Sequence, residues 1–345
     1  MLAPFGDLAR KHPRGIVDLS VGTPVDATPE FIQEALREAS NSPGYPLTTG
    51  TPELRAQIRE WAASHLGATG DFDVLPTIGS KELVAWLPTF LESKTVLYPE
   101  VAYPTYHVGA LLSNSTATPV GINPDSWPEA DLAWVNSPSN PTGRTHSESE
   151  FDAVIFWSRK NNSIVASDEC YLEFGDAVTP VSILSRTGGN NKNILAVHSL
   201  SKRSNLAGYR AGFIVGDSEL INRIREIRKH AGMIVSLPVQ KAMEMALKDD
   251  NHVEEQRALY IWRRSQLVKA LSNIGFTYEK THAGLYIWTS RGEKDMETVS
   301  WFAHLGILVT PGHFYGEKGA KHIRIAMTAT NAQIEETVAR LEGAQ

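Results

Sequence analysis

Five stretches of this 345-residue chain carry side chains that could do chemistry. Asp168-Glu169-Cys170-Tyr171 follows the apolar run from Ser163 to Ser167. Ligand groups gather at the carboxyl ends of strands in open α/β sheets, so an acid there is well placed; a helix cap or a surface acid would look the same. A second apolar run, Ile194 to His198, ends in Ser199-Leu200-Ser201-Lys202, with Arg210 eight residues beyond the lysine. A lysine at a strand end among small hydroxyl residues is unusual as a mere solvated charge. Asn136-Ser137-Pro138-Ser139-Asn140-Pro141-Thr142-Gly143 follows the run Leu132 to Val135, and its prolines and glycine impose a tight, rigid turn. Ile78-Gly79-Ser80-Lys81-Glu82 opens a helix, and the Gly-Ser pair offers backbone N–H groups to an anion, although many helices begin this way. Arg324 stands inside His-Ile-Arg-Ile-Ala-Met, where a buried guanidinium is costly unless a structural acid or a ligand carboxylate pairs with it.

These residues need elements to hold them. The short runs Thr95 to Tyr98, Leu132 to Val135, Ser163 to Ser167, Ile194 to His198 and Ala211 to Val215 predict buried strands of a mostly parallel sheet with helices between them. Thr51-Pro52-Glu53 predicts a helix start, with a cap, a proline at the first position and an acid in the first turn. Leu54, Ile58, Trp61 and Ala62 then recur at helical spacing. From about residue 216 the texture changes. A charged helix is expected over Asp217 to His230, then a turn at Ser236-Leu237-Pro238 and a long helical pattern from Val239 toward Ala270. Late strands are expected at Gly284 to Trp288, Ile307 to Val309 and His322 to Met327. Asn190 and Asn191 predict a surface loop.

The length favours two domains, and 42% hydrophobic and 21% charged residues are ordinary globular composition. A net charge of −6 argues against nucleic acid as a partner. The single cysteine, Cys170, cannot form an internal disulfide and fits a reducing compartment. With no leader pattern and no apolar stretch of membrane length, a cytoplasmic protein is expected. The 11 histidines show no metal spacing, so no metal is expected. Cys170, His198, Trp86, Trp127 and Trp134 are read as packing residues.

In order and spacing, Asn-Pro-Thr-Gly, Asp-Glu-Cys-Tyr, Ser-Leu-Ser-Lys and Gly-Tyr-Arg resemble the class I/II aminotransferases, which are fold type I pyridoxal phosphate enzymes. The resemblance spans essentially the whole chain. It implies an α/β fold: a large cofactor-binding domain (25–240) whose mixed, mostly parallel sheet is sandwiched by helices, and a smaller α+β domain (1–24 and 241–345) closing over the substrate. Lys202 would carry pyridoxal 5'-phosphate as a Schiff base and shuttle the proton. Asp168 would pair with the pyridine nitrogen. Tyr171 and Asn140 would hydrogen-bond the ring oxygen. Arg210, Ser199, Ser201 and the amides near Gly79, Ser80 and Lys81 would cup the phosphate. Tyr103, with Tyr106 as its competitor, would stack on the ring. Arg324 would take the substrate α-carboxylate, with Asn140 and the backbone at Gly22 beside it. Tyr45 would reach the phosphate of a neighbouring subunit, making the enzyme a homodimer.

A closer resemblance is carried by Leu-Ser-Val-Gly-Thr-Pro-Val-Asp, Gly-Thr-Pro-Glu-Leu-Arg, Ala-Gly-Leu-Tyr-Ile-Trp and Thr-Pro-Gly-His-Phe-Tyr-Gly. These look like the actinobacterial N-succinyldiaminopimelate aminotransferases of lysine and diaminopimelate synthesis. That implies glutamate and 2-oxoglutarate as the donor pair, and a second cationic group for the distal carboxylates, with Lys81, Arg203 and Arg14 as candidates by charge. The segment 232–237 resembles a loop lining the partner's pocket. Aminotransferases for aspartate, aromatic or other amino acids, and a carbon–sulfur β-lyase, are the alternatives.

Overall fold

A computed structural model describes residues 2–278 and 283–344. Its strands are β1 (Val17–Asp18), β2 (Asp73–Ile78), β3 (Thr95–Pro99), β4 (Thr116–Val120), β5 (Leu132–Asn136), β6 (Ile164–Asp168), β7 (Ile194–Ser199), β8 (Ala211–Gly216), β9 (Thr277–Tyr278), β10 (Tyr286–Ser290), β11 (Ile307–Leu308), β12 (Thr310–Pro311) and β13 (Ile323–Ala326). Seven of them form one sheet in the order β2-β8-β7-β6-β5-β3-β4. Only β8 runs against the others. The parallel members β5, β6 and β7 are buried almost throughout, as strands covered by helices on both faces must be.

The five expected strands of this sheet all form, four of them longer by one residue and the fifth, β6, shifted by one to Ile164–Asp168. Two more were not expected, β2 and β4. Each contains a proline, Pro76 or Pro119, which reads as a breaker in the sequence. Both strands are edges of the sheet, where a missing N–H is tolerated.

Two buried clusters lie against this sheet. One joins Ile58, Trp61, Val135, Val165, Ala196 and Phe213 to residues of the helix Leu237–Leu247. The other joins Leu75, Tyr106, Trp134, Ala166 and Val197. Inward-facing residues of one strand alternate between them, as Val135 and Trp134 do. A third cluster gathers Val17, Leu19, Tyr260, Leu285, Tyr286, Phe302, Ile325 and Ile334 around a four-stranded antiparallel sheet, β12-β13-β10-β9. Here β1 returns from the N-terminal segment to pair with β11.

The helical pattern after Val239 is two helices, Leu237–Leu247 and Asn251–Asn273, broken at 248–250. The expected domain break at residue 240 falls inside the first of them. Ala242, Met243, Ala246 and Leu247 keep helical spacing and pack in the first cluster, so the chain leaves that core only after Leu247. Asn191 is not on the surface: it is buried, donates to the backbone oxygens of Thr69 and Asp71, and accepts from Thr187. Asn190 is exposed. Among the described residues no helix is long and apolar enough to cross a membrane.

Candidate active site

A cleft of about 750 Å³ opens where the carboxyl ends of β5, β6 and β7 face the third cluster. It is lined by Gly22, Ser80, Lys81, Tyr103, Asn140, Asp168, Tyr171, Ser199, Ser201, Lys202, Arg210 and Arg324, among others. Gly79 stands directly behind Arg210. Tyr45 is absent from the lining and fully exposed.

Asp168 ends β6 and is buried. Its Oδ2 accepts from the hydroxyl of Tyr106 at 2.8 Å, and its Oδ1 accepts from the Cys170 amide at 3.2 Å. Burial pushes the carboxyl up from the ordinary range, against the hydrogen bonds of Cys170 and Tyr106. No lysine or arginine pairs with it among the described residues. The site therefore holds an acid that lacks a cation.

Lys202 sits in the short helix Leu200–Arg203, capped by Ser199, whose side chain accepts from the Ser201 amide. Its Nζ donates to the Gly22 carbonyl across the cleft. Burial lowers the amine from 10.5 to about 8, with Arg324 and Arg210 adding to the shift and Cys170 opposing it. At mildly alkaline pH a good share of it is therefore the free base.

Arg324, in the central strand β13, reaches back into the cleft. Its Nη1 donates to Asn140 Oδ1 at 3.0 Å and its Nη2 to the Ser20 carbonyl at 2.6 Å, while Nε has no hydrogen-bond partner among the described residues. Tyr286 and Tyr315 flank it, their ring centroids 4.0 and 5.1 Å from the guanidinium carbon. Among the described residues, every oxygen it donates to is neutral.

At the other end, the helix Gly79–Phe90 starts without a side-chain cap, leaving its first amides free. Arg210 is held in the left-handed region (φ 57°), with Nη1 on the Ala207 carbonyl. A Cβ on Gly79 would stand 2.5 Å from Arg210 Nη2, so the guanidinium packs onto a spot that only glycine leaves open. Uncapped amides beside an arginine could hold an anion.

The two candidates for the stacking role separate. Both line the cleft, but Tyr103 is half-buried with Lys81 Nζ 5.8 Å above its ring, whereas Tyr106 is fully buried and commits its hydroxyl to Asp168. Tyr171 Oη lies 3.1 Å from Tyr286 Oη. Cys170 faces the cleft, but burial and the neighbouring Asp168 raise its thiol well above the usual range. His198 is buried against Phe213 and 3.3 Å from Glu169. Sequence reasoning did not single out Tyr286, Tyr315 or Ser20. Their signal was present only as membership of the motifs Ala-Gly-Leu-Tyr-Ile-Trp, Gly-His-Phe-Tyr-Gly and Leu-Ser-Val-Gly.

Two candidates for distal-carboxylate binding fall away. Arg203 is buried outside the cleft, paired with Glu173 at 2.8 Å and Asp250 at 2.7 Å. Arg14 pairs with Glu336 near the C-terminal helix. Both have acids of their own, which charge alone did not reveal. Lys81 remains. Among the described residues His65, Glu173 and Asp250 lie close enough together to share an ion, but the Arg203 guanidinium already contacts both carboxylates.

Residues 14–341 match the family described as Aminotransferase class I and II. The 4-dedimethylamino-4-oxo-anhydrotetracycline transaminase OxyQ of Streptomyces rimosus is 47% identical over 99% of this chain and 97% of its own length. An LL-diaminopimelate aminotransferase of Dehalococcoides mccartyi is 33% identical over 97% of this chain and 93% of its own length. A solved structure from Thermus thermophilus, described as a probable N-succinyldiaminopimelate aminotransferase, superposes with a TM-score of 0.91 at 26% identity, covering 100% of both chains.

Proposed function

This chain belongs to the class I and II aminotransferases, a pyridoxal phosphate-dependent family, and from that membership we propose that it exchanges an amino group between glutamate and an N-succinyl-LL-2,6-diaminopimelate-type substrate. The observation that carries the carboxylate half of this reading is Arg324, a buried cation whose partners among the described residues are all neutral and leave its Nε without a hydrogen bond. A ligand carboxylate supplies the missing charge.

The residues fit the cofactor at each end. Arg210 and the uncapped amides of Gly79, Ser80 and Lys81, with Ser199 and Ser201, would hold its phosphate. Asp168, an acid without a cation, would hold the proton of the ring nitrogen. Tyr171 and Asn140 would donate to the ring oxygen, and Tyr103 would cover a ring face. When bound, the cofactor supplies an electron sink for the pair left on the substrate α-carbon as its proton departs. Lys202 Nζ takes that proton and gives it back, and burial, which lowers the amine to about 8, leaves much of it in the free form near pH 8. Arg324 and the phosphate cup fix the reactants from opposite ends, which converts an encounter into an oriented step. The division into a large domain and a smaller closing one, and a homodimer in which Tyr45 reaches the neighbouring phosphate cup, belong to the same proposal.

For the distal end of the substrate, support comes from the diaminopimelate-type relatives and from Lys81 at the cleft mouth. A second reading, a bulky ketone acceptor, is favoured by the 47% identity to a transaminase named for an oxo-anhydrotetracycline. An assay with 2-oxoglutarate and succinyl-diaminopimelate, acetyl-diaminopimelate or free amino acids separates them. Glutamate should form fastest with the succinyl compound. Absence of turnover on both acylated substrates, alongside turnover of the anhydrotetracycline ketone with glutamate, would move the assignment to the second reading. Ammonia and pyruvate from cystathionine would point to a β-lyase instead. Borohydride should fix the cofactor on Lys202. Lys202→Ala should still bind cofactor through the phosphate cup but lose turnover, and measurable transamination by it would refute the role given to Lys202.

A further inference from the structure

Tyr286 stands in the cleft wall with no task in the scheme above. It comes from β10, whose neighbour β13 carries Arg324. Its ring lies 4.0 Å from the Arg324 guanidinium carbon. Its hydroxyl is 3.1 Å from Tyr171 Oη, with the two rings edge to face. The same hydroxyl lies against Gly22, where any Cβ would overlap it. The Gly22 carbonyl in turn accepts from Lys202. One side chain thus touches the carboxylate grip, the phenol facing the cofactor and the segment that holds the lysine.

We propose that Tyr286 is a positioning residue that donates its hydroxyl proton to Tyr171 and supports the Arg324 guanidinium with its ring. This rests on the roles assigned above to Tyr171 and Arg324. Tyr171 has a single O–H. When that proton turns toward a cofactor oxygen, its own oxygen is left in a buried place with lone pairs to satisfy, and Tyr286 is the hydroxyl within reach. A phenol that accepts a hydrogen bond donates a stronger one, because the two bonds polarise each other. Burial first, and Tyr286 beside it, raise the Tyr171 phenol well above its ordinary range, so it remains a neutral donor. The ring beneath Arg324 acts separately. An aromatic face attracts the guanidinium and holds its plane while leaving its N–H edge for a carboxylate.

The two halves are tested separately on holoenzyme variants. Tyr286→Phe keeps the ring and removes the hydroxyl. Its visible absorbance should titrate with a midpoint raised by about half a pH unit, because a cofactor oxygen less neutralised by Tyr171 holds the nearby proton more tightly. Its KM for L-glutamate should stay within about twofold of wild type. Tyr286→Leu should show the same spectral shift and a KM raised about tenfold. Should Tyr286→Leu not accumulate as folded protein, Tyr286→Met replaces it in this comparison. A wild-type midpoint in Tyr286→Phe overturns the hydroxyl role, and a KM within about twofold in the aliphatic variant overturns the ring role. Wild-type enzyme and Arg324→Lys are the controls: if wild type shows no visible chromophore, or Arg324→Lys leaves the glutamate KM unchanged, the functional reading fails rather than this one.

Discussion

At the scale of single residues the cleft is a set of incomplete electrostatic pairs. Among the described residues Asp168 has hydrogen bonds but no paired lysine or arginine, and Arg324 has hydrogen bonds but no anion. A folded protein tolerates such buried groups when a ligand completes them. Lys202 gives the sharpest test at this scale. Burial lowers its amine to about 8, so the free base is scarce at pH 6.5 and abundant at pH 9. When cofactor-free protein is mixed with pyridoxal phosphate, the rate of covalent capture should rise with pH and reach half its maximum near 8. An ordinary lysine would reach half-maximum near 10.5, and that outcome would show that burial does not lower this amine.

Elements decide where these charges stand. The uncapped start of the helix Gly79–Phe90 faces Arg210, and Gly79 allows the two to meet at a left-handed φ of 68°. Gly79→Ala would place a methyl 2.5 Å from Arg210 Nη2 and force alanine into a conformation that costs about 1–2 kcal/mol. Equilibrium titration should show cofactor affinity lowered by about tenfold or more, with helix content retained. Affinity within error of wild type would remove Arg210 from the phosphate cup. The strands were legible in the sequence where they are buried on both faces, since continuous apolar runs such as Ile194 to His198 are read directly. Edge strands β2 and β4 were not legible, because Pro76 and Pro119 signal a break that only the sheet's edge forgives.

On the scale of the whole molecule, the cleft takes Asp168 and Lys202 from the seven-stranded sheet and Arg324 and Tyr286 from the four-stranded one. Tyr45 belongs to neither wall and points to solvent with Leu47 exposed beside it. The homodimer reading gives it a place. Sedimentation should find a dimer, and Tyr45→Phe should lower pyridoxal phosphate affinity about tenfold through loss of one hydrogen bond to a charged phosphate. Unchanged affinity would leave Tyr45 without a part in the site.

The sequence by itself determined the strand-end chemistry. Asp168 and Asn140 stand at or just beyond strand ends, Lys202 in a short helix and Arg210 in the turn after it, and their setting follows from local residues: a run of buried strand, a pair of prolines, a capping serine. The tertiary structure alone decided that Tyr106 is the tyrosine that supports Asp168, that Arg203 and Arg14 were already paired, and that Tyr286 touches both Tyr171 and Arg324. The hydrogen bonds from Tyr106 to Asp168, between Tyr171 and Tyr286, and from Arg324 to Asn140 cross 62, 115 and 184 residues of chain. Periodicity and turn chemistry act over a few residues, so the first of these contacts exists only once a helix has packed on the seven-stranded sheet, and the other two only once the two sheets have met.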